Sequence, residues 1–238
     1  MMSKTYVVYG VSKGLGQAII EALPTDQDQI YGISRSKPSC NRENLHWIKA
    51  DLSQAEQSRD QVKAVLQTKP VDYLIYNVGI WEALAFDPAY DFKACSDLEI
   101  ATMLQTNIHA CLLAIQSLIE NLKQSPNAKI ILIGSTWGLD NHKGKEVVFS
   151  TTKYALRGMV HALRENLRQD RIGISIVNLG YLATEFGLDT PTEQVIEQTQ
   201  AELIPLQDVM LALKFILATS HASCVKEINI PAMADENV

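Results

Sequence analysis

TYVVYGVSKGLGQAIIEAL, residues 5–23, is the stretch on which the fold turns. Thr5–Tyr9 is a short β-branched and aromatic run of the kind that forms a strand. Glycines follow at Gly10, Gly14 and Gly16, and apolar residues then recur at helical spacing as far as Pro24. A strand that turns through glycines straight into a helix lets the backbone approach an anion closely, and the positive helix end favours a pyrophosphate there. The spacing is G-x-x-x-G-x-G instead of the commoner G-x-G-x-x-G, so the loop alone does not name its ligand.

Outward from this stretch the alternation continues. QIYGIS (29–34), LHWIKA (45–50), VDYLIYN (71–77), KIILIGS (129–135), IGISIVNLG (172–180) and VKEINIP (225–231) read as strands. Helices are predicted over 53–67, opened by Ser53 as N-cap, over 97–123, from about Val147 to Gln169, and over 206–220. Several strands are apolar along most of their length, as parallel strands buried on both faces are. Strands and helices in turn predict an α/β fold, a mostly parallel sheet of about seven strands with helices on both faces. No Pro/Gly/Ser-rich linker or repeat interrupts the chain, so residues 1–238 are expected to form one domain.

Composition narrows the function classes. Hydrophobic residues make up 47% and charged residues 20%, which suits a packed globule and not a disordered chain. Twenty-one basic residues against 27 acidic ones, interspersed, give a formal net charge of -6 and no broad cationic surface for nucleic acid or anionic lipid. The four cysteines, Cys40, Cys95, Cys111 and Cys224, are scattered without metal-binding spacing and read as reduced packing residues. The N-terminal apolar run is too short for a signal peptide, and stretches such as CLLAIQSLI (111–119) fall short of a membrane span, so a cytoplasmic protein is expected.

Polar groups collect at the predicted strand ends. Asn77-Val78-Gly79 ends the fourth strand and Ser135 the fifth, and in an open α/β sheet ligands bind beyond the carboxyl ends of the strands. On the following helix, Phe149 and Lys153 stand four residues apart and share a face. The ordered set Gly10/Gly14/Gly16, Asp51, Asn77-Val78-Gly79, Asn107, Ser135, Phe149-x-x-x-Lys153 and NLGYLAT (178–184) resembles the short-chain dehydrogenase/reductase family over essentially the whole chain. The departures are Tyr9 for a usual threonine, Val78 for alanine, Leu179 for proline and, above all, Phe149 for the family's tyrosine.

The resemblance implies a doubly wound Rossmann-type sheet that binds a nicotinamide dinucleotide. It assigns Gly10, Ser12, Lys13, Gly14, Leu15 and Gly16 to the diphosphate and adenosine ribose, and Asp51 and Leu52 to the adenine. Asn77, Val78 and Gly79 would line the cofactor's floor, Lys153 would bond the nicotinamide ribose, and Gly180, Tyr181, Leu182 and Thr184 would touch the nicotinamide. The choice of dinucleotide has its own physical argument. NAD binding uses a carboxylate at the end of the second strand, but here that end reads Ser34-Arg35, and with Lys13 it suits the 2′-phosphate of NADP(H) in preference to NAD(H).

Family chemistry combines hydride transfer with proton donation from the tyrosine, whose pKa the lysine lowers from about 10. Ser135, Lys153 and Asn107 match the remaining catalytic positions, and Phe149 fills the fourth without a proton to give. Tyr154 is rotated about 100° round the helix from Lys153, and His142 is the other titratable candidate nearby. Two readings stay open: an NADP(H)-dependent carbonyl reductase or alcohol dehydrogenase with impaired or altered activity, and a non-catalytic NADP(H)-binding regulatory or interaction protein. Trp81, Trp137, Tyr181 and Phe186 are candidates for an apolar pocket, and 185–206 for a substrate lid. The expected partners are a small carbonyl or alcohol compound and further copies of the chain, as a homodimer or homotetramer, with no metal.

Overall fold

The structure, a computed structural model, describes residues 3–140 and 142–236. Seven strands make one sheet in the order β3-β2-β1-β4-β5-β6-β7, every neighbouring pair parallel. They are β1 (Thr5–Tyr9), β2 (Gln29–Ser34), β3 (Leu45–Lys49), β4 (Tyr73–Tyr76), β5 (Lys129–Ile133), β6 (Gly173–Leu179) and β7 (Glu227–Ile230). The strand order reverses between β1 and β4, so a crevice opens where the loops after these two strands part.

Among the described residues there are seven α-helices: α1 (Gly14–Ala22), α2 (Ala55–Leu66), α3 (Asp97–Leu104), α4 (Ala110–Leu122), α5 (Val147–Asn166), α6 (Thr192–Thr199) and α7 (Leu206–Ala218). One core packs α2, α4 and α5 on the sheet through Val62, Leu66, Cys111, Ile115, Leu118, Leu156 and Val160. The other packs α1 and α7 on the opposite face through Ile19, Ile20, Val209 and Leu213. Strand residues therefore meet apolar side chains on both faces, which explains their near-continuous hydrophobicity.

Two local readings are corrected. Ser53 does not cap α2: Gln54 holds the N-cap position, and Ser53 donates to Asp51 Oδ1 from its hydroxyl at 2.9 Å and from its amide at 3.1 Å, the amide closing an Asx turn ahead of the helix. The predicted helix over 97–123 is not uniform, because Gln105–His109 widens into a π-helical turn between α3 and α4. Such turns occur chiefly as single insertions at functional sites. Taken whole, Asp97–Leu122 is also long and apolar enough by length and composition to cross a membrane. Here Cys111, Ile115, Leu118 and Leu122 along it pack into the core.

Candidate active site

The loops beyond β1 to β6 surround a crevice of about 810 Å³. At its floor, Gly10 adopts φ +83° and Gly14 φ +54°, in the left-handed region that glycine tolerates best. A Cβ on Gly10 would lie 2.0 Å from the Asn77 carbonyl oxygen, and one on Gly16 1.8 Å from the Gly10 carbonyl oxygen, so neither position admits a side chain. Asn77 fixes this turn from β4, its Nδ2 donating to the Gly10 carbonyl at 3.2 Å. No side chain caps the start of α1, which leaves its first amides for an anion.

The adenosine end is polar and open. Ser34 is saturated within the chain: its hydroxyl donates to the Ser36 carbonyl at 2.7 Å and accepts from Trp47 Nε1 at 3.1 Å. Arg35 beside it is exposed and lines the crevice, as does the exposed Lys13. The Asp51 carboxylate holds the Ser53 amide and hydroxyl, and Leu52 and Ser53 continue the wall. A glycine cradle that excludes any Cβ, uncapped helix amides and two cations fit a phosphorylated dinucleotide.

At the other end stand the reactive groups. Ser135 accepts the Trp137 amide at 3.2 Å, which leaves its own proton to be donated. Lys153 is buried, donates to the Ile133 carbonyl at 3.2 Å, and holds its Nζ 5.4 Å from the centroid of the Phe149 ring. Burial pushes the Lys153 ammonium down to about 8. Gly180, Tyr181, Leu182 and Thr184 close the wall from the end of β6.

The structure thus brings nearly every residue singled out from sequence into one crevice, with two set beneath it. Gly16 packs under the loop. Asn107 sits in the π-helical turn, fully buried, with its side chain engaged: Oδ1 accepts from the Ile80 amide at 2.9 Å, and Nδ2 donates to the Ile80 carbonyl at 2.7 Å and to Thr152 Oγ1 at 3.1 Å. Its side chain therefore clamps the strand-end loop to the helix. Thr106 from the same turn does reach the crevice.

Phe149 belongs to an aromatic cluster that sequence reading found only in part. Phe86, unmarked by any sequence signal, packs against Trp81, Trp137, Phe149 and Tyr181. Phe186, expected here, instead lines a separate depression with Gln198 and Leu203. Two buried carboxylates hold the cluster. Glu82 Oε1 accepts from the amides of Val148 at 2.8 Å and Phe149 at 3.3 Å, supplying to α5 the cap its own N-terminus lacks. Glu146 accepts from Trp137 Nε1 at 2.6 Å and the Phe86 amide at 2.9 Å. Burial pushes the Glu146 carboxyl up, and its hydrogen bonds, led by the one from Trp137, outweigh this and hold it below the usual range.

Both alternative proton donors lie outside the crevice lining. The Tyr154 hydroxyl is bound to the Leu139 carbonyl at 2.5 Å, and His142 stacks on the far side of Trp137 with Nδ1 accepting from the Gly144 amide. Tyr181 does line it, but burial pushes its phenol up to about 12.

Residues 4–194 match the family model described as short chain dehydrogenase. Among curated relatives, carbonyl reductase family member 4 of Danio rerio is 24% identical, the match covering 92% of this chain and 93% of that protein. ElxO, solved with NADP bound and as a tyrosine-to-phenylalanine variant with NADPH bound, superposes with a TM-score of 0.77 at 18% identity, over 96% of this chain and 97% of ElxO. A short chain dehydrogenase of Leptospira borgpetersenii with bound NAD+ gives a TM-score of 0.77 at 18% identity, over 98% of this chain and 92% of that one. With the family model spanning most of the sequence, and the sheet and crevice agreeing with it, the chain belongs to the short-chain dehydrogenase family of oxidoreductases.

Proposed function

We propose that this protein is an NADP(H)-dependent reductase of a small carbonyl compound, or dehydrogenase of the matching alcohol, whose proton-transfer step is weakened by Phe149. The observation that carries the reading is the convergence of Ser135 and Lys153 with the Phe149 ring in the same crevice as the glycine loop. A protein that only held a dinucleotide would need Lys153 but has no evident use for a serine hydroxyl beside that ring.

When bound, the dinucleotide supplies or accepts the hydride. Gly10, Ser12, Lys13, Gly14 and Leu15 hold its phosphates, with Asp51 and Leu52 at the adenine and Asn77, Val78 and Gly79 along the floor. The 2′-phosphate is assigned to Arg35 and Lys13, because β2 ends at Ser34, whose hydroxyl is already committed. Ser135 donates to the carbonyl oxygen and polarises it. Lys153 bonds the ribose, and its buried ammonium, 5.4 Å from the Phe149 ring and pushed down to about 8, is assigned as the proton source in place of the missing phenol. Segment 185–206 stays assigned as the lid, its ends tied by the Leu182–Ile204 bridge.

ElxO supports this reading, since a tyrosine-to-phenylalanine variant of that protein holds NADPH. The test compares NADPH consumption by the chain and by Phe149→Tyr on a panel of ketones and aldehydes. Restoring a general acid is expected to raise turnover by roughly 10²–10⁴-fold. Unchanged turnover with NADPH still bound would favour a dinucleotide-binding regulator.

A further inference from the structure

Phe86 lines the crevice, yet the proposed chemistry gives it no task. Its ring centroid lies 5.8 Å from that of Trp81, 5.6 Å from Trp137, 5.8 Å from Phe149 and 5.5 Å from Tyr181. The last three rings stand at 90°, 89° and 82° to it, the edge-to-face arrangement that aromatic pairs prefer. Four rings thus form a receptacle whose occupant is a phenyl group, supplied at present by the chain itself. The receptacle shares Phe149 with the reactive end of the crevice, next to Lys153.

The occupant is also removable. Phe86 is 37% exposed, so its ring sits at the mouth and not in the core. Its backbone has φ +66°, in the left-handed region where a bulky residue is an outlier, so the loop conformation that delivers the ring is imposed on it. Besides the ring contacts, Phe86 is held by the hydrogen bond from its amide to Glu146 Oε1. Glu146 binds Trp137 through Oε2, a different oxygen from the one that accepts the Phe86 amide. The rest of the loop is anchored separately, by the Ala83 amide on Glu99 and by Tyr90 on Glu82 and the Val147 amide. The hydrogen bonds that fix its neighbours thus do not pass through Phe86.

We infer that the space filled by the Phe86 ring is an aryl subsite, and that Phe86 is a gate displaced by a carbonyl compound bearing a phenyl group next to its C=O. The substrate class rests on the reductase reading; the ring subsite rests on the packing alone. Specificity follows: a flat aromatic group regains the four edge-to-face contacts that Phe86 gives up, and a saturated ring of the same size does not.

The experiment titrates acetophenone and cyclohexyl methyl ketone into the unaltered protein, Phe86→Ala and Phe86→Leu, following tryptophan fluorescence. Trp81 and Trp137 line the subsite and report its occupancy. Titrations are run with saturating NADP+, where no ketone can be reduced, and without dinucleotide. Removing the competing ring is expected to tighten acetophenone binding about 10-fold in Phe86→Ala, with a smaller gain in Phe86→Leu and a gain of no more than about 3-fold for the saturated ketone. Equal gains for both ketones, or no gain in a variant that still shows cooperative thermal unfolding, would overturn the subsite. Should Phe86→Ala not fold, Phe86→Leu decides on the same two criteria. Acetophenone binding without NADP+ binding would defeat the reductase reading and leave the subsite standing; the reverse result would defeat the subsite alone.

Discussion

The two halves of the crevice are built by different means. The dinucleotide half is made of backbone: two glycines with no room for a Cβ, uncapped amides at the start of α1, and strand-end loops drawn from short consecutive stretches. The substrate half is made of side chains drawn from far apart, with Phe86, Trp137, Phe149 and Tyr181 meeting over nearly a hundred residues of sequence and two buried carboxylates fastening them. The first half serves a ligand whose shape is common to a family. The second is set one side chain at a time, and Phe149 is one of the rings that shape it.

This contrast is sharpest where a single methyl group would break the backbone-built half. Gly10→Ala places a Cβ against the Asn77 carbonyl in a left-handed residue, and is expected to cost about 3 kcal/mol or more and to abolish NADPH binding. Retained binding in a fluorescence titration would show that the loop relaxes and is less rigid than its contacts suggest.

Lys153 joins the two halves and separates function from stability. Burial lowers its pKa in the folded protein to about 8 from the usual 10.5, so the charged form is penalised in the folded state. For a depressed lysine the penalty is complete below pH 8 and fades as pH rises through 8 to 10.5, because only the unfolded chain still holds the proton in that window. Lys153→Met is therefore expected to weaken dinucleotide binding and yet to stabilise the protein at pH 7 by about 3 kcal/mol, a gain that vanishes above pH 10.5. Thermal unfolding across that range checks it; a constant difference would mean that the ammonium is solvated.

Arg35→Glu probes the dinucleotide half alone. It is expected to lower NADPH affinity by about 10- to 100-fold while leaving NADH within a few-fold, and equal losses would remove the 2′-phosphate from Arg35. The smallest effect belongs to the substrate half. Glu82→Ala strips the cap from α5 and is expected to destabilise the fold by about 1–2 kcal/mol in urea unfolding, with NADPH binding retained. A loss of NADPH binding in that variant would show that the two halves are coupled through α5.

Sequence reading succeeded where structure is local. Each strand was legible as a short run, four to seven residues long, and the glycine loop from its position between a strand and a helix. Boundaries slipped where tertiary contacts competed, as at Ser53, whose hydroxyl Asp51 captures before it can cap α2. The π-helical turn left no trace, since Gln105–His109 fits the same helical periodicity as its neighbours. Glu82 and Phe86 were invisible because their partners lie some 50 to 100 residues further along the chain.

By itself, then, the sequence determined the parallel α/β sheet, the glycine cradle and a ring without a hydroxyl at position 149, because apolar period, backbone freedom and side-chain identity are local properties. Only the tertiary structure decided that Asn107 is a clamp, that Tyr154 and His142 turn away from the crevice, and that Phe86 fills its aromatic mouth. Those outcomes depend on which distant groups meet and how their hydrogen bonds are shared, and folding settles that by packing instead of by sequence neighbourhood.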